Sequence, residues 1–247
     1  MIKGKKTMKE ILLETKDKVK IAVNYYENGF DNVVIISPGW FMTKDSKSFK
    51  NIAEIFVKYS DVLVLDYRGH GKSSGFYTFT SREVLDILTV IQYAHKKYKK
   101  IYLAGFSLGA ALSLIAASKR KYIDKIIVVS APSDFKTIEN HFWQKEAWLP
   151  TFQKFEPKRW LSVRPGLINL KKIKPIDIVD KIECPILFLA GAKDPTVCYW
   201  HTESLFNKAT CKKRYELFLD CCHAEDLYTQ APEKFVNLCT EWLYNNN

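Results

Sequence analysis

No apolar run in the 247-residue sequence approaches the ~20 residues that a membrane-spanning helix needs, so no integral membrane segment is expected. The opening stretch, MIKGKKTMKEILLETKDKVK, is basic but holds no apolar core of the kind a secretory signal requires, so export by that route is not expected either. CxxC pairs are absent. Cys184, Cys198, Cys211, Cys221, Cys222 and Cys239 show no paired spacing, which argues against a disulfide framework and for free thiols in a reduced, cytoplasmic setting. Cys221 and Cys222 adjoin His223, but adjacent residues rarely ligate one tetrahedral ion together, and no metal site is expected. P-loop spacing and GxGxxG are missing, which leaves nucleotide binding little support, and the chain reads as cofactor-free. A dense basic arm and an RNA-binding signature are also lacking. The formal charge is +11, yet the lysines are scattered along the chain as on a solvated surface. Nucleic acid is therefore not an expected partner, while attraction of anionic small molecules stays open.

What is present is the composition of a globular protein, 47% hydrophobic and 26% charged, long enough to bury a substantial core. Apolar runs alternate with longer amphipathic stretches. MKEILLET and KVKIAVNYY read as an opening antiparallel pair. NVVIISPG, DVLVLDYRG, KIYLAGFS, DKIIVVSAP and CPILFLAGAKD are β-branched runs that end in Gly, Pro, Ser or Asp, the pattern of buried parallel strands. Helices are expected over Ser46–Tyr59, Thr80–Lys97, Leu108–Arg120, Tyr199–Ala209 and Pro232–Tyr244, with a last strand at RYELFLD. This alternation predicts an α/β fold with a mostly parallel sheet and helices on both faces.

From Asp134 to about Ile176 the rhythm breaks. No convincing strand occurs, but aromatic residues are frequent, and residues 136–174 carry nine Lys or Arg against three Glu. A loop that long inside a compact domain ordinarily has helices of its own or covers a site. The expected organisation is a core of 1–133 and 177–247 with a small helical cap inserted over 134–176.

GFSLG, residues 105–109, fits G-x-S-x-G, with an apolar strand before it and the helix-like LGAALSLIAAS after it. That turn forces Ser107 into a strained backbone conformation, and a Cβ at Gly105 or Gly109 would crowd it. The serine is thereby lifted clear of the sheet beside a helix N-terminus, which favours developing negative charge.

From about residue 8 to 244, apart from the cap, the chain resembles the α/β-hydrolase fold family, and its expected sheet is then eight-stranded. The resemblance implies the order Ser, Asp or Glu, His, with the acid after a later strand and the histidine after the last. Asp194 in CPILFLAGAKDPTV and His223 in RYELFLDCCHAED occupy those places. Ser107 would be the nucleophile, His223 its base, and Asp194 the carboxylate that orients the imidazole. Asp134, which also follows a strand, is the rival acid. Asp220, Glu225 and Asp226 lie near His223 only in sequence. His70, His95, His141 and His201 do not follow the last strand and are expected at the surface or in turns.

The resemblance further implies an oxyanion hole from the N–H of Leu108 and of Trp40, with Phe41 as the alternative to Trp40. Relatives commonly carry His-Gly where this chain has Pro38-Gly39. Phe41, with Trp143 and Trp148 of the cap, is the expected substrate wall. DYRGHGKSSG, residues 66–75, resembles a recurrent family segment in which Arg68 and the glycines brace a loop. The nearest likeness is to small-capped esterases, monoacylglycerol-lipase-like and cinnamoyl-esterase-like enzymes. It implies a serine hydrolase of carboxylic esters with a small-molecule substrate. Thioester cleavage or acyl transfer by the same triad is an alternative, and a non-catalytic binding protein is the alternative of another class. A serine at 107 argues against the aspartate-nucleophile dehalogenases and epoxide hydrolases. The sequence does not specify an oligomeric state.

Overall fold

The computed structural model describes residues 7–138, 156–157, 161–166 and 171–245. The β-branched runs become strands because both of their faces can be covered. β3 (Asn32–Ser37), β4 (Asp61–Leu65), β5 (Lys100–Phe106), β6 (Lys125–Val129) and β7 (Ile186–Gly191) are buried almost throughout. β8 (Lys213–Phe218) closes one edge, and β1 (Thr7–Glu14) pairs with β2 (Lys20–Glu27) at the other. The order is β1-β2-β4-β3-β5-β6-β7-β8. β1, β2 and β4 pair antiparallel, and β3 to β8 run parallel. This is the expected eight-stranded, mostly parallel sheet.

Alternation along each strand divides the core into two layers. Val33, Ile35, Leu103, Val128 and Phe188 face α2 (Glu83–His95), α3 (Leu108–Ala117) and α4 (Tyr199–Lys208). Their neighbours Val34, Ile36, Ala104, Val129 and Leu189 face α1 (Lys47–Phe56) and α6 (Pro232–Tyr244). The five expected helices are all present, three of them a few residues shorter than expected. A short helix, α5 (Asp226–Gln230), was not expected. None of the helices is long and apolar enough to cross a membrane, among the described residues.

Arg68 braces its loop as expected. Its Nε and Nη2 donate to Asp86 Oδ1 at 2.9 and 2.7 Å, and Nη1 donates to Asp17 Oδ2 at 2.7 Å. Beyond β6, the described part of 134–176 is tied down by backbone bonds. Arg164 N–H donates to Gly69 O, and Tyr77 N–H donates to Arg164 O, each at 2.8 Å. His141, Trp143 and Trp148 lie outside the described residues.

Candidate active site

β5, β7 and β8 run parallel, so the loops at their C-terminal ends open on the same edge of the sheet, with β6 between β5 and β7. Each of these loops presents one polar side chain. Ser107 follows β5 directly, with φ 52° and ψ −116°, a left-handed conformation that a serine adopts only under the constraint of its surroundings. Two close approaches impose it. A Cβ on Gly109 would stand 2.0 Å from Ser37 O, and one on Gly105 would stand 2.6 Å from Ala110 Cα. Neither position has room for a side chain. Ser107 N–H donates to Val129 O at 2.8 Å, which fixes the turn to β6.

Asp194 follows β7, and its side chain is fully buried. Its Oδ1 accepts the N–H groups of Thr196 and Val197, each at 2.9 Å. Its Oδ2 lies 2.7 Å from His223 Nδ1. His223 follows β8, and its Nε2 lies 2.8 Å from Ser107 Oγ. The structure thus brings 107, 223 and 194 into one unbroken run of hydrogen bonds. Burial alone would lower the His223 pKa, but the adjoining Asp194 carboxylate outweighs it, with Glu225 and Asp226 adding to the pull, and the imidazole titrates above its ordinary value. Asp134, the rival acid, is engaged elsewhere, its Oδ2 2.7 Å from Lys174 Nζ.

Further contacts hold these loops, and no local sequence pattern signals them. Lys193 N–H donates to Cys221 O at 3.0 Å and joins the Asp194 loop to the His223 loop. Ala224 N–H donates to Ser130 Oγ at 3.1 Å across 94 residues. Only a pairing of β6 with the loop after β8 brings those two residues together.

Leu108 opens α3, where its N–H has no intrahelical acceptor. Trp40 lies in the turn closed by Met42 N–H on Gly39 O at 3.2 Å, and Gly39 itself abuts Ser107. A cavity of about 230 Å³ opens at Ser107 and Leu108, walled by Trp40, Tyr77, Phe79, Phe135 and Val197 among others. Phe41 adopts φ 58° and lies with its ring centroid 4.5 Å from that of Trp40, while the aromatic residues Tyr77 and Phe79 line the cavity itself. Their only sequence signal is an aromatic cluster, FYTF, between a glycine-rich loop and a helix.

His201 is a correction. Far from the surface, it is completely buried in α4, with Nδ1 2.8 Å from Ser133 Oγ. His70, in its turn, is buried as well, while His95 is exposed and stacks on Tyr122. Among the described residues, no three His, Cys, Asp or Glu side chains converge as metal ligands would.

A family model described as alpha/beta hydrolase fold matches residues 32–155. Serine hydrolase BPHL of Homo sapiens is 24% identical over 260 residues, an alignment covering 91% of this chain and 85% of that protein. The esterase Pf2001 of Pyrococcus furiosus superposes with a TM-score of 0.79 at 22% identity, over 96% of this chain and 92% of that one. The esterase EaEST of Exiguobacterium antarcticum superposes with a TM-score of 0.76 at 19% identity, over 96% of this chain and all of that one. These superpositions show a shared fold.

Proposed function

The chain belongs to the alpha/beta hydrolase fold family, and from that premise we propose that it is a serine hydrolase that cleaves carboxylic esters through an acyl-enzyme on Ser107. One observation carries the reading: the run of hydrogen bonds from Ser107 Oγ through His223 to Asp194. A serine hydroxyl is a weak nucleophile until a base takes its proton, and His223 Nε2 stands at 2.8 Å to do so. Asp194 Oδ2 accepts from Nδ1–H, which leaves Nε2 free as the base and stabilises the imidazolium that forms.

Attack of Oγ on the ester carbonyl moves its electron pair onto oxygen. The N–H groups of Leu108 and Trp40 are the donors for that oxyanion, and losing one such donor typically costs ~10²–10³ in rate. Collapse expels the alcohol, which takes the proton from Nε2. Water then gives a proton to the same nitrogen and attacks the acyl-enzyme, and collapse expels Ser107 Oγ, which takes that proton back as the acid is released. The aromatic wall of the cavity suits an apolar acyl or aryl group.

A fluorophosphonate probe tests the reading. It is expected to label the native protein on Ser107 and to leave Ser107→Ala unlabelled. A folded wild-type protein that resists labelling would refute the hydrolase reading and favour a binding role for the fold.

A further inference from the structure

The cavity at Ser107 is apolar or neutral along its described wall, with one exception. Lys172 is the only charged side chain among its described lining residues. Its ammonium lies 6.0 Å from the centre of the Phe79 ring. A contact at that distance is worth only ~0.5–1 kcal/mol and leaves the three N–H donors of the ammonium largely unused. The neighbouring cation is placed differently, because Lys174 is held by Asp134 at 2.7 Å. No carboxylate among the described residues pairs with Lys172. Asp194 has both oxygens committed to His223, Thr196 and Val197. A cation beside aromatic walls, with no counter-ion among the described residues, is a site for an anion brought by the ligand.

Resting on the esterase reading above, we propose that Lys172 is a specificity-determining residue, and that the preferred substrates are esters bearing a carboxylate on the half of the molecule that reaches Phe79. The reacting centre is the ester carbonyl at Ser107. The substrate carboxylate takes no part in bond making and meets the Lys172 ammonium. A hydrogen-bonded charge pair of this kind in a half-buried site corresponds to roughly tenfold or more in relative kcat/KM.

Two matched pairs of substrates test this. In the first, the acyl half carries the charge: 4-nitrophenyl monoesters of adipic and suberic acid against 4-nitrophenyl hexanoate and octanoate. In the second, the leaving group carries it: 3-carboxyphenyl butyrate against phenyl butyrate. The wild-type protein should favour the charged member in one pair by about tenfold, and the preference should shrink as salt is raised. Lys172→Gln should bring that ratio close to one, Lys172→Glu should invert it, and Lys172→Arg should keep it. The ratio, rather than either rate, is the readout, because a merely structural role would move both substrates together. If neutral esters are turned over by wild type and not by Ser107→Ala, but neither pair favours its charged member, the role of Lys172 is overturned and the esterase reading stands. A ratio that survives Lys172→Glu overturns it as well. If no ester in the set is turned over, both proposals fall.

Discussion

Replacing Asp194 by Asn removes one charge and leaves the shape of the side chain unchanged, so its effect follows from hydrogen-bond direction alone. The buried Oδ1 accepts two backbone N–H groups at 2.9 Å. In Asp194→Asn the amide oxygen must stay on that side. A flipped amide would set its NH₂ against both donors and leave two buried groups unsatisfied, at ~1–3 kcal/mol each. The NH₂ therefore faces His223 Nδ1, where a carboxylate oxygen had accepted at 2.7 Å. It donates to Nδ1, so the ring proton moves to Nε2, the atom that must take the proton of Ser107. The base is then in the wrong tautomer, and its positive charge loses the carboxylate beside it. Triads altered in this way lose ~10⁴ in kcat, about 5.5 kcal/mol of barrier. Every hydrogen bond of the side chain keeps a partner, so the melting temperature should move by only a few degrees. Initial rates on a 4-nitrophenyl ester, read beside a thermal melt, give both numbers. A folded Asp194→Asn protein within tenfold of wild type would refute the assignment of Asp194 as the orienting acid.

The pH profile follows from the same pair. His223 titrates above its ordinary value near 6.5: burial opposes the charge, but Asp194, with Glu225 and Asp226, outweighs it. The working base is the neutral imidazole, so kcat/KM should fall as pH drops through a midpoint above 6.5, and a midpoint below 6 would contradict the pairing. In Asp194→Asn the residual activity should have its midpoint at lower pH, since burial then acts without the carboxylate. Gly191→Ala should be destabilising by ~1–3 kcal/mol and should also lower turnover. Its Cβ would stand 2.1 Å from Cys222 O and 2.4 Å from Cys221 O, on the loop that carries His223. An unchanged urea midpoint and unchanged turnover would show that this loop yields more easily than its contacts imply.

The positions of Ser107, Asp194 and His223 were legible because each stands where a buried strand stops. Such strands show in sequence as β-branched runs, and their ends show as Gly, Ser or Asp. The cavity wall was far less legible. Tyr77 and Phe79 reach it from a loop between Gly75 and α2, and no local pattern says that this loop folds over the end of β5. Phe41 is aromatic and next to Trp40, and nothing in the sequence separates it from Tyr77 and Phe79, which line the cavity. The burial of His201 is not legible because α4 is a weakly amphipathic helix whose buried side also holds Thr202 and Leu205. α5 has only five residues, too few to show a helical period. The bond from Ala224 to Ser130 belongs to the sheet order, which no single segment encodes.

Strand register has a consequence for how such a protein can change. Gly105 sits opposite Val128, Val129 opposite Leu189, and Gly191 opposite Phe218, so the turns that carry Ser107, Asp194 and His223 are indexed to one another through the ladder itself. Phe135 and Lys172 come instead from the excursion between β6 and β7, which enters and leaves the sheet without setting that index. Lengthening, shortening or exchanging the excursion would change part of the cavity wall and leave the register that aligns Ser107, Asp194 and His223 as it is.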